Sequence, residues 1–192
     1  MYLLAEGCVA DISGGVRSGK SSFAERCAKM IAEPTDSLHY IATALRTDEE
    51  MEARIAHHQA QRKHDGWQTW EQPYDLDCIM PMFGGCDVVL LDCLTNLWAN
   101  ELFRDDEWNV HVKVPRIAQQ IKQLGEKVKA LIVVSNELFC DGVPHERGTY
   151  TYMHGLGLLH QQIVACSDVA ILMRYGLPIV KKGRWPCGAE SY

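Results

Sequence analysis

One octapeptide limits this chain more than anything else in it. Gly14-Gly15-Val16-Arg17-Ser18-Gly19-Lys20-Ser21 satisfies the pattern G-x-x-x-x-G-K-[ST] at every position. In such a loop the glycines let backbone N–H groups turn inward around phosphate oxygens. The Lys20 ammonium reaches the β- and γ-phosphates, and the Ser21 hydroxyl ligates Mg²⁺. The pattern has this meaning when a strand precedes it and a helix follows. Ser22-Phe23-Ala24-Glu25-Arg26-Cys27-Ala28 meets the second condition, and a phosphate gains further from the N-terminus of a helix starting near Lys20. Cys8-Val9-Ala10-Asp11-Ile12 meets the first, although Asp11 is out of character in a strand. The competing reading is a Gly-rich turn that happens to end in Lys-Ser. The strand–loop–helix context favours a nucleotide site.

The rest of the chain repeats that alternation. Short apolar runs at 38–43, 87–91, 130–134 and 169–172 read as strands. The middle two are continuous rather than alternating, which suits strands covered on both faces. Helical periodicity falls at about 20–32, 48–63, 94–103, 109–125 and 152–166, and Asp141-Gly142-Val143-Pro144 is a turn. Strand–helix–strand alternation implies an α/β fold of P-loop NTPase-like type, a mostly parallel sheet flanked by helices. With 192 residues and no repeat or linker, residues 1–192 are expected to form a single nucleotide-binding domain.

Composition excludes several classes of function. Lys and Arg total 19 against 25 Asp and Glu, a formal charge of −6, which argues against a nucleic-acid partner. No stretch approaches the roughly 20 apolar residues of a membrane span, and the N-terminus lacks the basic region of a signal peptide. Eight cysteines invite a disulfide reading, but no pair is spaced C-x-x-C and no Cys/His group has zinc-site spacing. Cys27 and Cys93 read as small buried residues, and the expected location is the cytoplasm.

Two further positions carry candidate chemistry. Asp92 directly follows Val88-Val89-Leu90-Leu91, where an acid at a strand end holds Mg²⁺ through water; a helix N-cap or turn aspartate is the alternative. In the expected helix over 48–63, Met51, Arg54, Ile55, His58 and Arg62 share one stripe, with His57 and Gln61 to one side. An imidazole between two arginines suits phosphate chemistry, the arginines neutralising oxygens while the ring supplies a nucleophilic nitrogen. A solvated basic helix end with a packed histidine satisfies the same spacing.

These residues together resemble a known family. The phosphate loop followed by Ala24-Glu25, then Tyr40-Ile41-Ala42-Thr43-Ala44, Arg54-Ile55-x-x-His58-x-x-x-Arg62 and Trp67-Gln68-Thr69-Trp70-Glu71 are similar to blocks of the bifunctional adenosylcobinamide kinase / adenosylcobinamide-phosphate guanylyltransferases of cobalamin biosynthesis. Leu90-Leu91-Asp92-Cys93-Leu94-Thr95-Asn96-Leu97-Trp98-Ala99-Asn100 and Val134-Ser135-Asn136-Glu137 continue the match in order. The resemblance implies ATP and GTP as substrates, Mg²⁺ as cofactor, a corrinoid acceptor and assembly as a homotrimer. It implies phosphorylation of adenosylcobinamide, then GMP transfer through a guanylylated histidine at the position of His58, with His57 as the fallback. It implies Lys20 as the second catalytic residue. Thr43, Ala44, Leu45, Gln59, Ala60, Gln61, Arg62, Glu71 and Asp92 are expected around the nucleotide with Gly14–Ser21, and Ser21 and Asp92 at the metal.

The match is not uniform. Where the family carries an Arg-Asp pair this chain has Met153-His154, and an Asn-Gln pair is replaced by His160-Gln161. Those departures fall where the kinase step and the acceptor are expected to be shaped. The alternatives are a P-loop kinase of another small alcohol and a non-catalytic nucleotide-binding regulatory module. The Arg54/His58/Arg62 stripe discriminates, because a mere binder needs no histidine there.

Overall fold

The computed structural model describes residues 7–45, 64–139, 142 and 145–184. Strand β1 (Cys8–Gly14) leads through the phosphate loop into helix α1 (Lys20–Ile31), followed by β2 (Ser37–Ala42) and β3 (Trp67–Glu71). Two short 3-10 turns precede β4 (Asp87–Asp92). Then come α2 (Leu94–Leu102), α3 (Val110–Lys127), β5 (Ala130–Asn136), α4 (Arg147–Cys166), β6 (Val169–Arg174) and β7 (Leu177–Lys182). The sheet order is β3-β2-β4-β5-β1-β6-β7. All neighbouring pairs are parallel except β6–β7.

The parallel core strands are apolar on both faces because helices cover both. On one face Ala10, Ile12, Val88, Leu90, Ile132 and Val134 pack with Phe23, Ala24 and Cys27 of α1. On the other, Val9, Val89, Leu91, Leu131 and Val133 pack with residues of α2, α3 and α4. Close approach on this second face depends on Gly155. A Cβ there would lie 2.1 Å from Trp98 Cζ2, and Trp98 is fully buried with its indole N–H donated to Tyr152 O at 2.8 Å.

Five strands were expected and seven are present among the described residues. β3 sets Gln68, Thr69 and Glu71 around its two tryptophans at the sheet edge, so it lacks the continuous run of a central strand. β7 is an exposed antiparallel edge containing Pro178, which removes a ladder donor and disguises the strand in sequence. Helix α4 begins at Arg147 rather than near 152. The Glu146 carboxylate caps it, accepting from Gly148 N at 2.9 Å and Thr149 N at 2.7 Å. The expected helix over 48–63, with its candidates His57, His58, Gln59, Ala60, Gln61 and Arg62, lies outside the described residues, as does most of the 141–144 turn.

Asp11 is part of β1, paired between Val133 and Ala170. It is 2% exposed and Oδ1 has no hydrogen-bond partner, so burial pushes its carboxyl up to about 7. The six described cysteines, Cys8, Cys27, Cys78, Cys86, Cys93 and Cys166, are all free.

Candidate nucleotide-binding site

The phosphate loop joins the end of β1 to the first turn of α1, where its backbone takes conformations that aim N–H groups to one side. Arg17 has φ 59° and Gly19 φ 85°, with Ser18 outside the left-handed region between them, the alternation that builds an anion-binding concavity. Gly19 precedes α1 without a side-chain cap, and the first turn carries no acid. The helix amides and dipole therefore remain available to an anion. Gly14 is required by a different constraint: a Cβ there would lie 2.6 Å from Met173 O and 2.8 Å from Ser18 Oγ. Lys20 is 8% exposed and its ammonium donates to Gly15 O at 3.2 Å. Ser18 Oγ is buried in the loop without a partner.

Opposite the loop stands the end of β4. Strand alternation puts Asp92 on the same face as Val88 and Leu90, the face covered by α1. Its Oδ2 accepts from Tyr40 Oη at 2.7 Å. Burial raises the Cys93 thiol above its ordinary range and the Asp92 carboxylate adds to this, while Lys20 acts in the opposite sense. Lys20 and Asp92 thus lie within electrostatic reach of one sulfur.

Register brings in more of the sequence candidates. Ala42 is paired with both Glu71 and Asp92, so the ends of β3, β2 and β4 form one rim at the carboxyl edge of the parallel sheet. This is where open α/β sheets bind ligands. Ala44 is half-buried and Leu45 and Glu71 are exposed on that rim. Thr43 is fully buried, and its hydroxyl is committed to the backbone of Cys93, donating to O and accepting from N at 2.8 Å each. Asn100 extends the brace by donating to Thr43 O at 2.8 Å and Pro73 O at 3.1 Å.

Sequence reasoning passed over Tyr40, Thr95 and Asn100 as individuals, although all three stand inside blocks that carry the family resemblance. Thr95 Oγ1 accepts from Asn136 N at 3.2 Å and Asn136 Nδ2 at 3.0 Å. Glu137 N in turn donates to Gly14 O at 3.0 Å, tying the end of β5 to the loop. The positions that depart from the family lie on α4. His160 Nε2 is 2.6 Å from Ser135 Oγ, and burial pushes the imidazole down to about 4. His154 is exposed and stacks on Tyr150 at 6.0 Å between centroids.

Similarity to known proteins agrees with this geometry. The profile of the cobinamide kinase / cobinamide phosphate guanyltransferase family matches residues 11–181. The chain is 37% identical over 175 residues to the bifunctional adenosylcobalamin biosynthesis protein CobP of Pseudomonas aeruginosa, covering 90% of this chain and 96% of that protein. It is 32% identical over 179 residues to the bifunctional adenosylcobalamin biosynthesis protein CobU of Escherichia coli, covering 88% and 96%. Among solved structures, the flagellar accessory protein FlaH from Methanocaldococcus jannaschii matches with a TM-score of 0.56 at 18% identity, covering 94% of this chain and 80% of that one. The RadB recombinase matches with a TM-score of 0.55 at 12% identity, covering 95% and 84%. At such identities the structural likeness is one of fold.

Proposed function

The chain belongs to the cobinamide kinase / cobinamide phosphate guanyltransferase family, and we propose that it phosphorylates adenosylcobinamide and transfers GMP from GTP to adenosylcobinamide phosphate, giving adenosylcobinamide-GDP. The reading is supported within the structure by the uncapped, acid-free start of α1 at Lys20, on the sheet face to which strand alternation assigns Asp92.

In the second reaction the imidazole of His58 attacks the α-phosphorus of GTP. An N–P bond forms as the bond to the bridging oxygen breaks, and pyrophosphate leaves with the electron pair. A phosphate oxygen of adenosylcobinamide phosphate then attacks the same phosphorus, breaking the N–P bond and freeing the imidazole. Covalent catalysis divides one displacement into two. The Lys20 ammonium and the α1 amides offset charge on the phosphates in both reactions, without needing to reorganise as it develops. ATP or GTP serves as the phosphoryl donor of the first reaction.

The residues present fit Mg²⁺. Ser21 in the first turn of α1 and Asp92 at the end of β4 supply a hydroxyl and a carboxylate, the hard oxygen donors this ion takes alongside water. Bound there, Mg²⁺ would neutralise phosphate charge. A homotrimer and a cytoplasmic location complete the proposal and rest on family resemblance.

GTP labelled at the α-phosphate tests the transfer. Acid-labile, base-stable label on the wild type and on His57→Ala, but not on His58→Ala, is the expected result. An unlabelled wild type with intact nucleotide binding would overturn it.

A further inference from the structure

Within that reading, which makes Asp92 the acid at the metal-bound nucleotide, we propose that Tyr40 is a positioning residue that sets the orientation of the Asp92 carboxylate. The terminal torsion of an aspartate is broad and two-fold, so a carboxylate at a strand end does not orient itself. Here β2 and the residue that follows it hold Asp92 in two ways. Thr43 N donates to Asp92 O at 3.2 Å and the Thr43 hydroxyl grips both sides of the next residue, which secures the backbone. The Tyr40 hydroxyl donates to Oδ2 at 2.7 Å, which secures the side chain.

Register explains the reach. Tyr40 is paired with Leu90 and Ala42 with Asp92, so Tyr40 is a diagonal neighbour of Asp92 on the same sheet face. Cross-strand neighbours at that offset are within reach of a long aromatic side chain. The ring is itself held: Tyr40 is 4% exposed, with its edge set against Trp67 at 6.0 Å and 85° between planes. A buried tyrosine hydroxyl normally finds a partner. This one has taken Oδ2 of the acid that ends β4, and Oδ1 stands outside that bond.

Because Tyr40 acts through Asp92, its effect is confined to the metal-dependent part of nucleotide binding. Titration with a fluorescent GTP analogue, in Mg²⁺ and again in EDTA, separates the two. Tyr40→Phe keeps the ring and its contact with Trp67. It is expected to weaken binding in Mg²⁺ by roughly 10- to 150-fold, the scale of one hydrogen bond to a charged group, and to leave binding in EDTA unchanged. In an Asp92→Asn background the same substitution should cost nothing further, because the two residues form one unit. Equal losses in Mg²⁺ and EDTA, or losses that add in the double variant, would overturn the proposal. So would a wild type whose affinity ignores Mg²⁺, even where it forms the GTP-derived label. Absence of that label, with Mg²⁺-dependent binding intact, strikes the transfer reading and leaves the role of Tyr40 standing.

Discussion

The hydroxyl of Thr43 spans the Cys93 backbone, donating to its carbonyl and accepting from its N–H at 2.8 Å each. A side chain expected beside the nucleotide is thereby spent on holding the strand end that carries Asp92. Thr43→Val keeps the shape and strips both bonds in a fully buried setting. The Cys93 N–H left unpaired costs about 1–3 kcal/mol, while Cys93 O keeps the bond it accepts from Leu97 N at 3.1 Å. The expected result is a lower urea midpoint for Thr43→Val together with weaker nucleotide binding, and near-complete recovery of both in Thr43→Ser. A Val variant as stable as the wild type would refute the brace.

Lys20→Ala should abolish both nucleotide binding and labelling by α-labelled GTP, because no other side chain of the loop supplies an ammonium beside its amides. Circular dichroism of the variant should match the wild type. Labelling that survives the substitution would remove Lys20 from the role assigned to it.

Asp11 has a pH signature. Its carboxyl titrates at about 7 in the folded chain against an ordinary 3.8, burial being the cause. Between those values the folded chain keeps a proton that the unfolded chain has released, so stability falls as pH rises from about 4 to about 7 and then levels. The shift corresponds to roughly 4 kcal/mol at most. His160 works in the opposite sense: its folded value of about 4 lies below the ordinary 6.5, so it gains stability as pH rises through that interval. The difference between wild type and Asp11→Asn isolates the carboxyl. Thermal midpoints across pH 4 to 8 should diverge in favour of the amide variant as pH rises, and parallel curves would refute the assignment.

Gly155→Ala sets helix propensity against packing. Alanine is better than glycine in a helix interior by about 1 kcal/mol. The added methyl would lie 2.1 Å from the buried Trp98 ring, and overpacking costs typically about 1–3 kcal/mol or more. Packing wins, so the urea midpoint should fall. Trp98 fluorescence should shift as the ring moves. A stabilised variant would show that the two helices can part without cost.

The site signals that the sequence carries are local ones. The phosphate loop needs consecutive residues with fixed backbone demands; Gly19 stands at positive φ there, and so does Arg17, which no glycine in the pattern marks. Asp92 was legible because an acid ending a continuous apolar run stands out. The edge strands β3 and β7 were not, since an edge needs neither a continuous apolar run nor every ladder donor. The early start of α4 was missed because it rests on Glu146, whose capping role depends on where its carboxylate turns.

Family, α/β class and phosphate loop were thus decided by the sequence itself, through short-range patterns that each residue satisfies with its near neighbours. Tertiary structure decided which distant residues serve one another. Tyr40 and Asp92 are separated by 52 positions, yet strand pairing sets them on one face with a 2.7 Å hydrogen bond. Asp11 offered no clue to its unusual carboxyl until β5 and β6 closed on either side of it. Hydrogen bonds and desolvation depend on distance in space, and only the folded sheet supplies that distance.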